Sequence, residues 1–381
     1  MFTFNPHSPE FRRNPYPIYA ALRAHAPIYF WEAGNSWFLT GWTVCNDLLR
    51  DNRFGNGPGG VSMLFQNPPD HTRLRALVQK AFTPRRVEQL RGKIQSITDG
   101  LLDQVTEKAQ RGAGVDLVAD FAYPLPVAVI VALLGVPAAD HAKFHRWSQA
   151  LVDSLDLLSD PSREPQISAA NSGFRAYFDE LIAERRAHPG DDLLSALIAA
   201  EEAGDRLTAN ELYFNARLLL VAGYETTVGL IGNGTLALLR QPDQLARLQA
   251  NPGLIGNAVE ELLRFDSPIQ MVGRTALEDV EFHGQQILQG QSVGIMVGAA
   301  NHDPARFAHP GQLQLDRPNV QHLSFGGGIH YCLGAPLARL EGQIALQTLF
   351  QRFPHMRLVE AEPPHRDNYV FRSLVRLPVI L

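Results

Sequence analysis

The run Phe325-Gly326-Gly327-Gly328-Ile329-His330-Tyr331-Cys332-Leu333-Gly334 holds a side chain that can bind a metal. Cys332 is one of two cysteines in 381 residues, the other being Cys45. Three glycines stand just upstream of it, and an apolar-periodic segment, residues 335–350, follows. Glycine carries no Cβ and lets a backbone approach a large flat group closely. A helix beginning just past Cys332 turns its N–H groups and positive dipole end toward the sulfur, which favours the thiolate. A thiolate, a glycine-lined approach and the nearby His330 suit an axial haem ligand. The plainer reading of a lone cysteine is a small core residue. Zinc is disfavoured, because His330 and Cys332 are two ligands without a further cysteine cluster.

Three other constellations carry chemistry. Glu225 and Thr226 interrupt the apolar stretch 218–229. A buried acid is costly without a partner or a task, and an acid beside an alcohol can pass protons through water. The alternative has Thr226 bonding back to a carbonyl while Glu225 faces solvent. Gly223 and Thr226 together predict a kink or groove. Glu261 and Arg264, three apart on a helix, can pair. His71 and Arg75 share one helix face, and Arg274 and His330 add two cations. Such a set could clamp two carboxylates, arginine by its planar fork; singly, each reads as a solvated surface charge.

The elements that must position these groups are mostly helical. Apolar spacing predicts helices over 18–25, 42–51, 68–82, 87–105, 116–134, 140–158, 166–187, 191–203, 209–239 and 252–265. The segment 209–239 is apolar on all sides and is expected to be buried. Short strands are expected over 28–30, 37–40, 271–276, 280–282, 285–288, 292–299 and 371–380. Residues 55–60 read as a Gly/Pro-rich loop. The fold class is therefore mainly α with a minor β-sheet region, in a single domain over 1–381.

Composition removes several function classes. A net charge of −5 argues against nucleic acid as a partner. No apolar h-region stands in residues 1–17 and no run is long enough to span a membrane, so a cytoplasmic, soluble protein is expected. Nothing argues for a disulfide between Cys45 and Cys332. No G-x-G-x-x-G string follows an expected strand, so no dinucleotide site is recognisable. The G-x-S-x-G string Gly290-Gln291-Ser292-Val293-Gly294 lacks the strand before and helix after that a nucleophile elbow needs.

Phe325, Gly328, His330, Cys332 and Gly334 spell F-x-x-G-x-H-x-C-x-G, which resembles the haem-binding signature of the cytochrome P-450 monooxygenases. Ala222-Gly223-Tyr224-Glu225-Thr226-Thr227 resembles the family's oxygen-activation motif, A-G-x-[D/E]-T-T, with a bulkier Tyr224 than usual. Glu261 and Arg264 resemble its E-x-x-R pair, with Arg317 as the third member of a buried structural network. The resemblance runs from Asn14-Pro15-Tyr16-Pro17 to Leu377-Pro378-Val379. It implies the cytochrome P-450 fold and haem b (heme b, iron protoporphyrin IX), with Cys332 as the metal ligand. His71, Arg75, Arg274 and His330 would be cofactor-binding, on the propionates, and Glu225 and Thr226 catalytic, relaying protons during oxygen activation. It further implies a ferredoxin or flavodoxin partner with an NAD(P)H-dependent reductase. Arg73, Lys80, Arg85, Arg86 and Arg339 are a candidate docking patch, a merely solvated set of charges being the alternative.

By the same resemblance the substrate pocket is walled by 61–65, 218–222, Met271, Val272 and Leu374, so the substrate is apolar. Residues 63–71 and 267–271 resemble the branch that oxidises polyketides, macrolides and fatty acyl chains. Ser373 stands where glycine is commoner and is expected to narrow the pocket. The reading is hydroxylation or epoxidation of a secondary metabolite by one oxygen atom of O2. The alternatives are a fatty-acyl hydroxylase acting on a carrier-protein-bound chain and a non-catalytic haem protein. Glu225-Thr226 speaks against the latter and against a peroxide-driven enzyme.

Overall fold

The computed structural model describes residues 4–5, 8–57, 60–140, 143–144, 147, 150, 161–202 and 207–381. The helix expected over 140–158 falls largely outside them. In the first half, the described residues form α1 (Pro9–Arg13), α2 (Tyr16–His25), β1 (Ile28–Trp31), β2 (Ser36–Leu39), α3 (Trp42–Leu48), β3 (Phe54–Gly55), α4 (Asp70–Ala81), α5 (Pro84–Gln89), α6 (Arg91–Gln110), β4 (Val115–Asp116), α7 (Pro124–Leu133) and α8 (Glu164–Ala187). In the second half they form α9 (Leu193–Glu202), α10 (Ala209–Leu239), α11 (Pro242–Ala250), α12 (Ile255–Phe265), β5 (Val272–Ala276), β6 (Val280–Phe282), β7 (Gln285–Ile287), β8 (Ser292–Ile295), α13 (Val297–Ala300), α14 (Ala335–Arg352), β9 (Arg357–Leu358) and β10 (Pro378–Ile380).

Helix α10 is the axis of this arrangement. Thr208 starts it with a capping box: its hydroxyl accepts from the Glu211 N–H, and the Glu211 carboxylate accepts from the Thr208 N–H. Its apolar circumference lies in the main core with residues of α6, α7, α12 and α14. A Cβ on Gly223 would stand 2.9 Å from Ile130 of α7, so this glycine serves close helix packing. The helix runs unbroken through it, and the kink expected at Gly223 is not found as a break.

A five-stranded sheet, in the order β1-β2-β8-β5-β3, covers α3 and a second core. Only the β2–β8 pair in it is parallel. Ser292 opens β8 opposite Ser36 and Thr275, inside the ladder, so it sits on no elbow. The strand expected over 292–299 ends at Ile295, opposite the last residue of β2 and the first of β5, and the chain coils into α13. Of the strand expected over 371–380 only Pro378–Ile380 forms. Upstream of it, side chains and single bridges, Ile269 to Phe371 and His365 to Leu374, hold a loop instead. The helix expected over 116–134 begins as a wide turn, Val118–Ala122, and restarts at Pro124, which lacks the N–H that an uninterrupted helix needs. Helices α1 and α11 are too short and polar to show in the periodicity.

Cys45 is buried, its thiol donates to the Leu39 carbonyl (3.3 Å), and burial pushes its pKa up. Both cysteines are free, as expected. The Glu261 network is also as expected, and fully buried. Arg264, 0% exposed, donates to both Glu261 oxygens (2.7 and 2.8 Å) and to the carbonyls of Asn301, Pro310 and Gln312. Arg317 binds Glu261 from the other side (3.0 and 3.1 Å) and the carbonyls of Ala308, His309 and Gln312. Removing one partner of such a network leaves a buried charge without compensation. Glu261→Ala is therefore expected to destabilise the protein by about 3–5 kcal/mol, read as a lowered urea midpoint.

Glu341 of α14 is a second buried acid, and its Oε2 has no hydrogen-bond partner among the described residues. Burial holds its pKa well above the ordinary glutamate value. The folded state thus keeps the proton while the unfolded chain loses it near its usual pKa of ~4.3. Stability from this group is present below that pH and declines as pH rises toward the folded value. Glu341→Gln is expected to raise the melting temperature at pH 7, with the gain fading to nothing below about pH 4.

Candidate active site

The cysteine loop closes on itself before α14 begins. The Cys332 N–H donates to the Phe325 carbonyl (2.8 Å) and the Tyr331 N–H to that of Gly328 (3.1 Å). Gly328 has φ +62°, and a Cβ there would run into the Leu49 carbonyl oxygen. Gly328 therefore lets the loop cross the end of α3. A Cβ on Gly334 would meet only the Cys332 sulfur, at 3.9 Å.

Cys332 is exposed, at the bottom of a recess that protein surrounds. Helix α14 begins just past the sulfur, and the Ala335 N–H donates to the Cys332 carbonyl (3.4 Å). The expected fall in pKa does not result. Desolvation pushes the thiol up and outweighs the Gly334 N–H, Arg75, the Ala335 N–H and Arg339, which pull it down. A bound metal ion would reverse that balance, because a coordinating thiol is deprotonated outright.

The four expected cations do come together. His71, 2% exposed, lies with its ring centroid 4.3 Å from that of His330, and neither His71 ring nitrogen has a hydrogen-bond partner among the described residues. Burial, then Arg75 and Arg274, lowers the His71 pKa. Burial, then Arg274, His71 and Arg75, drives His330 down to about 3. Arg274 and Arg75 are lowered by burial too. The Arg75 guanidinium donates to the Tyr331 carbonyl (2.6 Å), and Arg274 only to the carbonyl of Gly273 (2.8 Å). None of the four meets a carboxylate among the described residues. Two guanidiniums and two imidazoles close together with no carboxylate among the described residues, one of them a buried histidine, fit a dianionic group beside a sulfur ligand. Haem, with two carboxylates and an iron, is such a group.

Leu218, Ala222 and Thr226 recur every four residues on one face of α10, and all three are at least partly exposed. Val61, Leu64 and Phe65 of the loop before α4 are at least partly exposed too. Asn215 fastens this loop to α10 through the Met63 N–H (3.0 Å). Met271 and Leu374 are not walls, as expected, but core: Met271 packs near Phe38 and Tyr19, and Leu374 is 3% exposed in the main cluster.

Thr226 donates its hydroxyl to the Ala222 carbonyl (3.2 Å). Glu225 does not face solvent. It is buried, and its Oε1 accepts from Arg366 (3.0 Å) and from the Ser373 hydroxyl (3.2 Å). The two residues thus point to different sides of α10. Arg366 and Ser373 were not readable as partners, since 141 and 148 residues separate them from Glu225. The unusual Ser373 was the one signal, and its hydroxyl binds Glu225. Tyr224 is buried and packs edge-on against Tyr123 (5.6 Å).

Two members of the candidate docking patch are committed within the chain. Arg339 binds both oxygens of Glu260 (2.6 and 2.9 Å) and covers the Phe325 ring at 4.4 Å. Arg73 pairs with Glu211 and Asp70. Lys80, Arg85 and Arg86 are exposed. No helix among the described residues is long and apolar enough to cross a membrane.

Comparison with known proteins converges on one family. The profile described as Cytochrome P450 matches residues 49–252 and 253–378. "Polyketide biosynthesis cytochrome P450 PksS" of Bacillus subtilis is 41% identical, over 99% of this chain and 98% of that protein. "Biotin biosynthesis cytochrome P450" of the same organism is 41% identical, over 98% and 97%. The crystal structure of P450BioI with an acyl carrier protein bearing hexadec-9Z-enoic acid superposes with a TM-score of 0.92, at 40% identity, over 98% of this chain and all of that one. Sequence motifs, architecture and relatives agree that this chain belongs to the cytochrome P450 family.

Proposed function

We propose that this haem-thiolate monooxygenase tailors a polyketide or related secondary metabolite by hydroxylation or epoxidation, and that the reacting chain is apolar. The reading of the substrate class rests on the uncharged and at least partly exposed side chains of Leu218, Ala222, Val61, Leu64 and Phe65, which the family resemblance assigns to the substrate pocket. The names of PksS and of the P450BioI complex support two forms of that reading, a polyketide and a carrier-tethered acyl chain.

The residues divide the work as follows. Cys332 would hold the iron of haem b, and His71, Arg75, Arg274 and His330 would neutralise its propionates, relieving their own crowding. The haem supplies dioxygen activation and oxygen insertion when bound. Thr226 presents its Oγ to the recess from the same face as Ala222, where it can hold a proton-carrying water. Glu225 holds its carboxylate on the other side as the proton reservoir. Leu64 and Phe65 keep bulk water from the reacting carbon. Family members draw electrons from redox partners. Here a ferredoxin or flavodoxin with its NAD(P)H-dependent reductase fits the absence of a dinucleotide site, with Lys80, Arg85 and Arg86 left as docking candidates in a cytoplasmic setting.

The reduced protein with carbon monoxide is expected to give the strongly red-shifted Soret band of a cysteinate-ligated haem, and Cys332→Ser to lose it. A band at the histidine-ligated position in the parent protein would overturn the ligand assignment. Substrate class is read from low-spin to high-spin shifts on titration with a macrolactone, a free long-chain fatty acid and the same acyl chain on its carrier protein. A response to steroids or terpenes alone would exclude the proposal. Thr226→Ala is expected to bind substrate as before but to lower product formed per NAD(P)H by about 10-fold, measured by product and cofactor assay.

A further inference from the structure

Glu225 is held by two side chains of a loop far away in sequence. The stretch 364–375 folds back on itself: the Arg366 N–H donates to the Ser373 carbonyl (2.9 Å) and the Val375 N–H to that of Pro364 (2.8 Å). This places Arg366 and Ser373 side by side, and both donate to the same Glu225 oxygen. The loop is itself anchored. Arg372 binds Asp266 (2.8 Å), its N–H donates to the Pro268 carbonyl (2.8 Å), and its carbonyl accepts from Asn233 of α10 (2.9 Å).

The outer side of Arg366 lines a recess of about 20 Å³ between the N-terminal segment and this loop, together with Tyr19, Gln270, Asn368 and Arg372. That is room for one water among several polar groups. The Arg366 side chain is 26% exposed, whereas Glu225 is 2% exposed. Arg366 thus joins a buried carboxylate to a recess with room for a water.

We propose that Arg366 and Ser373 are positioning residues for Glu225, and that the recess beside Arg366 is where solvent protons reach it. This rests on the role given to Glu225 above. As Arg366 yields the carboxylate, a hydronium in the recess gives its proton to a Glu225 oxygen and leaves water. Turned toward Thr226, Glu225 releases that proton and returns as carboxylate to Arg366. The other titratable neighbours are Tyr123 of α7, whose pKa burial and the Glu225 charge raise, and Tyr224.

The test uses the resting holoenzyme and needs no turnover. Arg366→Gln, Arg366→Lys and Ser373→Ala are titrated by infrared spectroscopy, following the carboxylic C=O band that Glu225→Gln abolishes. Arg366→Gln is expected to show that band at a higher pH than the parent, Arg366→Lys to move it back, and Ser373→Ala to shift it less. Coupling of reducing equivalents to product should fall by about 10-fold in Arg366→Gln, with a changed solvent isotope effect and unchanged substrate-binding spectra. An unmoved band, or unchanged coupling and isotope effect, in a folded Arg366→Gln or Ser373→Ala overturns the proposal. A moved band with unchanged coupling does the same for the proton inlet. Loss of the cysteinate Soret band or of the substrate-induced spin shift in the parent protein would instead count against the function proposed above.

Discussion

One buried carboxylate, Glu261, fixes the frame in which the cysteine stands. Two guanidiniums and the Gln314 N–H neutralise it, and the same guanidiniums use their remaining N–H groups on five carbonyls between Asn301 and Gln312. A segment without regular structure is thereby fastened to α12. Asn301, gripped by Arg264, binds the Leu323 N–H (2.8 Å) and the Ser324 hydroxyl (2.9 Å), and Ser324 reaches back to the Leu263 carbonyl of α12 (2.7 Å). The next residue of α12 outward, Glu260, grips Arg339 of α14 and, through it, covers Phe325. Helix α12 therefore holds the approach to the cysteine loop, the loop's first ring and the helix after it. Such a network adds little net stability, because its desolvation cost is large. Its effect is to leave the loop one position.

The loop delivers Cys332 into a place whose electrostatics are unfinished. A thiol pushed upward and four basic groups pushed downward are opposite symptoms of the same burial. One dianionic ligand with a cationic metal answers both: the metal stabilises the thiolate while the carboxylates stabilise the cations. The site thus stores, in the protein alone, a demand for the charge pattern of its cofactor.

What could be read in the sequence followed the range of the interaction. Helix α10 was legible in full because its apolar pattern is local, and the Glu261–Arg264 pair because three residues separate its members. The cysteine and the four basic residues carry strong local strings, and the structure brings His71 and His330 together with Arg75 and Arg274 nearby. The substrate walls were less legible. Met271 and Leu374 sit on segments whose facing is set by the sheet register and by the C-terminal loop, neither of which has a period in the sequence. The contact of Gly328 with Leu49 was not legible, since it joins residues far apart in the chain.

Glu225 shows why the acid–alcohol pair cannot be understood from its motif alone. Adjacent helix positions point about 100° apart, so an acid and an alcohol at consecutive positions cannot share one face. The geometry separates Thr226, which bonds back to the Ala222 carbonyl, from Glu225, which meets Arg366 at the edge of a small recess, and on the reading proposed above the first side serves the substrate and the second the proton supply. Apolar substrate needs the first side free of charge, and proton supply needs the second in contact with water. A single helix turn meets both demands because its two polar residues diverge, and because the C-terminal loop closes over the one that faces away.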